Sequence, residues 1–112
     1  MKQRKLRRYS IFIEAKLESN DFRVHGVAVN FSYKGVGLCC LTPLAVKSEV
    51  LLTFFFNNEQ GAVHSESVKG VIRWAKNFGH LQTGGVEFTE ELSEDSHFVI
   101  LSHIEMAKEF EG

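Results

Sequence analysis

The chain lacks any apolar run near the length of a membrane span, which takes about 20 residues. Its basic start is not followed by an apolar segment and small-residue cleavage site, so no secretory signal is read there. A soluble, cytoplasmic protein is expected. Proline occurs once, at Pro43, and there is no repeat, low-complexity tract or linker. One domain is therefore expected for 112 residues. The only two cysteines, Cys39 and Cys40, are adjacent and point to opposite faces of a strand. That excludes a disulfide framework and a metal knuckle, and leaves two small buried hydrophobes. No HExxH, CxxC, GxSxG or phosphate loop is present. His97 and His103 are six apart, not the three or four that place two ligands on one helix face. Glu90, Glu91, Glu94 and Asp95 read as a solvated surface run. No catalytic residue, metal site or cofactor is expected, and the protein is not read as an enzyme.

What is present argues for a packed domain. Hydrophobic residues make up 44% of the chain, with ten Phe, too many for disorder. Net charge is -1, but the charges are segregated. Residues 1–8, MKQRKLRR, hold Lys2, Arg4, Lys5, Arg7 and Arg8 and no acid. Residues 90–112 hold seven acids against Lys108 as the one Lys or Arg. A basic arm of this kind attracts an anion.

Period-two alternation marks the strands. Ile11, Ile13, Ala15 and Leu17 alternate with Phe12, Glu14, Lys16 and Glu18. Ser19-Asn20-Asp21 is a turn cluster. Strands are predicted at 22–29, 36–42, 49–56, 62–75 and 81–88, with a bulge at Gly26 and a bulge or bend at Gly70. Residues 93–111 change period: Phe98, Leu101, Ile104, Ala107 and Phe110 recur at three-residue steps. Ser93 is the expected N-cap, with Glu94 and Asp95 in the first turn. Six strands and a C-terminal helix predict a mainly β fold, a six-stranded antiparallel barrel closed to remove its edges. Residues 1–9 form the flexible arm, and 10–112 the single barrel domain with its helix at about 93–111. That apolar helix packs either on its own barrel or on a second copy, so both monomer and homodimer stay open.

Two patterns carry chemistry. Arg4 and Arg8 are four apart in RKLRR, and each guanidinium is a planar fork that matches a phosphate or a guanine O6/N7 edge. Lys has the charge without the paired geometry. Downstream, NFSYKG places Asn30, Ser32 and Gly35 as [DN]xSxxG. Such a match arises by chance on the order of once in twenty in a chain this long. The residue types suit a turn, with Gly35 supplying a positive φ. They also suit a ligand: Asn30 offers donor and acceptor, Ser32 a hydroxyl, and Gly35 an approach free of a Cβ.

RxxxR, one hairpin, then [DN]xSxxG resembles the PilZ domain, whose members bind the bacterial second messenger cyclic di-GMP. Val71-Ile72-Arg73-Trp74 and Gly85-Val86-Glu87-Phe88 look like the family's other recurring strands. A six-stranded split barrel with a C-terminal helix is the family fold. The resemblance implies that Arg4 and Arg8 grip phosphates and guanine Hoogsteen edges, and that Asn30, Ser32 and Gly35 hold one guanine. Arg7 and Trp74 are further candidates: Arg7 for a phosphate, and Trp74 either for stacking on a base or for packing in the barrel. The implied function is a cyclic di-GMP receptor or adaptor whose arm orders on binding and alters a surface read by a separate protein. One alternative is a PilZ-like protein-interaction module that binds no nucleotide. A lower-ranked one is a small DNA- or RNA-binding barrel, disfavoured because Glu14, Glu18, Glu49, Glu66 and Glu87 mix with the bases of the strands.

Overall fold

In a computed structural model, residues 13–57 and 60–111 are described, except the side chains of 107 and 109–111. Six strands precede one helix: β1 (Ile13–Glu18), β2 (Arg23–Phe31), β3 (Gly35–Cys40), β4 (Glu49–Asn57), β5 (Val63–Phe78), β6 (Leu81–Phe88) and α1 (Phe98–Glu111). The strands close into an antiparallel barrel in the order β1-β2-β3-β6-β5-β4, with β4 returning to β1. The six expected strands are all present, β5 extending past residue 75 to Phe78. No described helix is long and apolar enough to cross a membrane.

Alternation fills the barrel. Ile13, Ala15 and Leu17 of β1 face inward, as do Val50, Leu52, Phe54 and Phe56 of β4. Phe54, Leu17, Leu38, Leu52, Ile72 and Val68 are essentially sealed from solvent. Cys40 belongs to this core, and burial pushes its thiol pKa up. Cys39 is only half-buried, so the expectation of two buried cysteines holds for one.

The bulges are not at the glycines. The register shifts between Ala28 and Asn30 in β2, and between Ile72 and Trp74 in β5. Gly26 and Gly70 serve close strand approach instead. A Cβ on Gly26 would lie 2.5 Å from the Cys39 carbonyl oxygen, and one on Gly70 2.6 Å from a Val86 methyl. Both displaced bulges reverse the alternation. Ala28 and Ile72 face inward, so unbroken parity would turn Asn30 and Trp74 inward as well. The extra residue turns both outward and sends Phe31 in, edge-on to Phe54 at 5.0 Å.

The helix also differs from expectation. Ser93 caps a preceding turn, its Oγ accepting from the Ser96 amide at 3.2 Å. α1 starts at Phe98 and has no acid in its first turn, so Glu94 and Asp95 lie before it. Its cap comes from β5. Glu66, 5% exposed, accepts the Val99 amide at 2.8 Å and the Ile100 amide at 2.9 Å. These are the amides an N-cap side chain normally satisfies. His64 bonds the same carboxylate at 2.9 Å. His97, 3% exposed, is held by the Ser93 amide and the Ser67 carbonyl. Glu66 is thus an interior group rather than a surface charge. The buried face of the helix is Ile100 and Ile104, which join the barrel core; Phe98, expected there, is 63% exposed. The helix therefore packs on its own barrel.

Replacing Glu66 with Gln puts an amide donor against at least one helix N–H. An unsatisfied buried donor costs about 1–3 kcal/mol. Urea unfolding of Glu66→Gln should show a loss of that size. An unchanged midpoint would mean the carboxylate does not hold the helix.

Candidate functional site

The β2–β3 connection is a tight turn. The Ser32 amide donates to the Gly35 carbonyl at 2.8 Å, and Ser32 Oγ accepts the Lys34 and Gly35 amides, each at 3.2 Å. Gly35 does not have a positive φ; among the described glycines only Gly61 and Gly79 do. It is needed because a Cβ there would sit 2.4 Å from the Val86 carbonyl oxygen. The turn expectation is correct in place and different in cause.

From this turn a row of four residues crosses the outside of the sheet. Asn30 pairs with Gly37, Gly37 with Gly85, and Gly85 with Trp74. At the usual strand spacing of about 4.8 Å the row is roughly 14 Å long. Its centre is two glycines, and the side chains of Asn30 and Trp74 at its ends fold over them. Asn30 Oδ1 accepts the Gly37 amide at 3.0 Å. A Cβ on Gly85 would fall 2.1 Å from Trp74 Nε1, so the indole lies across that glycine. Trp74 is 48% exposed and is not a core residue. Its packing is on the outside of the barrel, against Gly85.

Beside the row, Arg73 Nε donates to Glu87 Oε1 at 2.6 Å, both side chains about half exposed. The surface here forms a shallow concavity of about 400 Å³ containing Asn30, Ser32, Gly35 and Trp74. Its size suits a small ligand. Four expected site residues thus converge; Arg4, Arg7 and Arg8 lie outside the described residues. Sequence reasoning gave no role to Gly37, Gly85, Arg73 or Lys34, which also line the concavity. The available signal was the GVG and GG pairs, since glycine inside a strand marks close backbone approach. A larger groove of about 650 Å³ lies where the β1–β2 turn meets β4 and β5, but along it Asp21 and Glu49 outweigh Lys69, which disfavours an anion. Among the described residues, no three His, Cys, Asp or Glu side chains are grouped to hold a metal.

The turn is tied to the helix. Tyr33, between Ser32 and Lys34, donates its hydroxyl to Glu105 of α1, and Lys108 Nζ lies 5.2 Å from the centre of its ring.

Residues 2–105 match the family model of the PilZ domain. The structure of the Bacillus subtilis inhibitor of motility MotI/DgrA superimposes with a TM-score of 0.70 at 12% identity, covering 89% of this chain and 48% of that one. The chain thus spans about half the length of that protein, and at this identity the likeness establishes the fold. No curated protein matches the sequence significantly.

Trp74 is the chain's one Trp, so it reports directly on this packing. Gly85→Ala should drive the indole off the strand, shifting emission to the red and increasing acrylamide quenching. An unchanged spectrum in the folded variant would show that the ring does not rest on Gly85.

Proposed function

Because this chain belongs to the PilZ domain family, we propose that it is a cyclic di-GMP receptor or adaptor rather than an enzyme. The observation that carries the proposal is the row Asn30–Gly37–Gly85–Trp74, a flat platform of an amide and an indole laid over two glycines. A purine needs such a floor. Trp74 supplies a π-face at one end. Asn30 has committed one lone pair of Oδ1 to Gly37, so it retains one acceptor position and an amide donor group for a base edge. An Asp would have offered a charged, two-oxygen acceptor in its place. Ser32 and Gly35 fix the turn that borders the floor.

The ligand has two guanines and two phosphates, a dianion with flat ends. Arg4 and Arg8 bind its phosphates and Hoogsteen edges, with Arg7 as an additional phosphate contact. Reach supports this role. Ile13 pairs with Ala28, two residues before Asn30. The five residues from Ile13 back to Arg8 span at most roughly 17 Å when extended, enough to bring the guanidinium over the row. Residues 1–9 act as the arm and 10–112 as the domain that receives it. Five bases in eight residues repel one another, and a dianion offsets part of that charge. Ordering the arm costs affinity and creates a new surface, which a separate cytoplasmic protein reads. No DNA or RNA partner, metal or cofactor is required, and the receptor works as a monomer or a homodimer.

Calorimetry with cyclic di-GMP should give saturable heat, with the stoichiometry counting ligands per chain. Arg8→Ala should abolish it. Asn30→Ala should weaken binding about five- to tenfold, the value of one hydrogen bond of about 1 kcal/mol. Absence of heat at high micromolar ligand overturns the receptor reading. Tight binding of a generic single-stranded oligonucleotide with a steep salt dependence would favour a nucleic-acid function instead.

A further inference from the structure

α1 carries a second apolar face that its own barrel does not cover. Ile100 and Ile104 are spent on the core, yet Phe98 is 63% exposed, Met106 43% exposed and Leu101 half-buried. Phe98, Leu101, Ser102, Glu105 and Met106 line one shallow groove together with Glu94. The spacing of 98, 101/102 and 105 is one helix face. Both charged residues lining the groove are acids, Glu94 and Glu105. Lys108 is turned to the Tyr33 ring.

We propose that this face is a docking site for a cationic amphipathic helix of a partner protein. Apolar side chains of the partner cover Phe98, Leu101 and Met106, and its Lys or Arg residues meet Glu94 and Glu105. Charge selects among possible occupants. An anionic lipid surface is repelled by the acidic rim, and a second copy brings the same two acids against them. A cationic helix gains on both counts, by the helix-in-groove mode. In linking docking to nucleotide the inference rests on the receptor reading above. Glu105 is shared: it lines the groove and accepts the hydroxyl of Tyr33, which lies within the Asn30–Gly35 turn. A partner cation drawn to Glu105 competes with Tyr33, so groove and turn influence each other reciprocally.

The test is an amide chemical-shift titration of the isotope-labelled full chain with a short helical Leu/Lys amphipathic peptide, and with a Leu/Glu peptide of the same apolar pattern. Saturable shifts over residues 94–106 with the Leu/Lys peptide alone support the site. Phe98→Ser, at an exposed position, should abolish them. Glu105→Lys should weaken them about fivefold, as expected for one exposed ion pair. The urea midpoints of both variants check that the fold persists. Absent shifts, shifts on another face, or equal binding of the Leu/Glu peptide overturn the proposal. So does concentration-dependent sedimentation without peptide that Phe98→Ser removes, since the face would then belong to a second copy. Calorimetry with cyclic di-GMP on the same sample separates the two readings. Nucleotide heat without peptide shifts overturns the docking site and leaves the receptor. Peptide shifts without nucleotide heat support the docking site and overturn its link to the ligand.

Discussion

The outer surface of this barrel depends on two single-residue insertions. A bulge at Val29 and another at Arg73 each reverse the inside–outside alternation of a strand. Without them an amide and an indole would face an interior already filled by Phe54, Leu52 and Ile72. A buried, unpaired amide costs a few kcal/mol, and a crowded core costs as much again. With them, Phe31 enters the core and packs on Phe54, while Asn30 and Trp74 leave it. One local irregularity therefore improves the packing inside and builds the platform outside. The two glycines between Asn30 and Trp74 complete that platform because larger residues would collide with the groups folded over them.

The helix is positioned by a different kind of constraint. Helix starts leave amides unsatisfied, and here the acceptor is the carboxylate of Glu66, from a strand 33 and 34 residues away in sequence. A local cap would fix only where the helix begins. A cap from β5 also fixes where it sits on the barrel. From that anchor Ile100 and Ile104 complete the core, and Glu105 arrives beside Tyr33. The same strand, β5, carries Trp74 at the other side of its bulge. Helix placement and platform are in this way properties of one strand.

These features explain what was legible in the sequence. The six strands were readable because alternation in residues such as Ile13, Ala15 and Leu17 reports a half-buried sheet directly. The turn at Asn30–Gly35 was readable from its residue types. Bulge positions were not, because Val29 and Arg73 look like ordinary strand residues and the conspicuous glycines, Gly26 and Gly70, are used for close approach. The helix phase was misread for a related reason. Two of the groups that set it, His97 and Glu66, are polar residues buried by specific hydrogen bonds, and hydrophobic periodicity counts such residues as exposed. Phe98, the largest apolar residue of the segment, then drew the buried face onto itself. The platform was legible only as a motif: Asn30, Ser32 and Gly35 were marked, whereas Gly37 and Gly85 acquire meaning from cross-strand register, which one-dimensional reading does not contain.

Charge explains why the proposed receptor function calls on both motifs. The floor, an amide and an indole over two glycines, is neutral. Arg73, the guanidinium beside it, is paired with Glu87 at 2.6 Å, which cancels most of its charge at a distance. Lys34 is the remaining described cation along the concavity, and a single exposed ammonium is worth little against a hydrated dianion. The platform is thus flat and has little field for an anion. In the proposed receptor, the arginines among residues 1–8 would supply the missing charge without adding a side chain to the floor. A receptor of the proposed kind separates shape from charge, so that arm and ligand would settle as one event, which is the condition for a binding step to double as a signal.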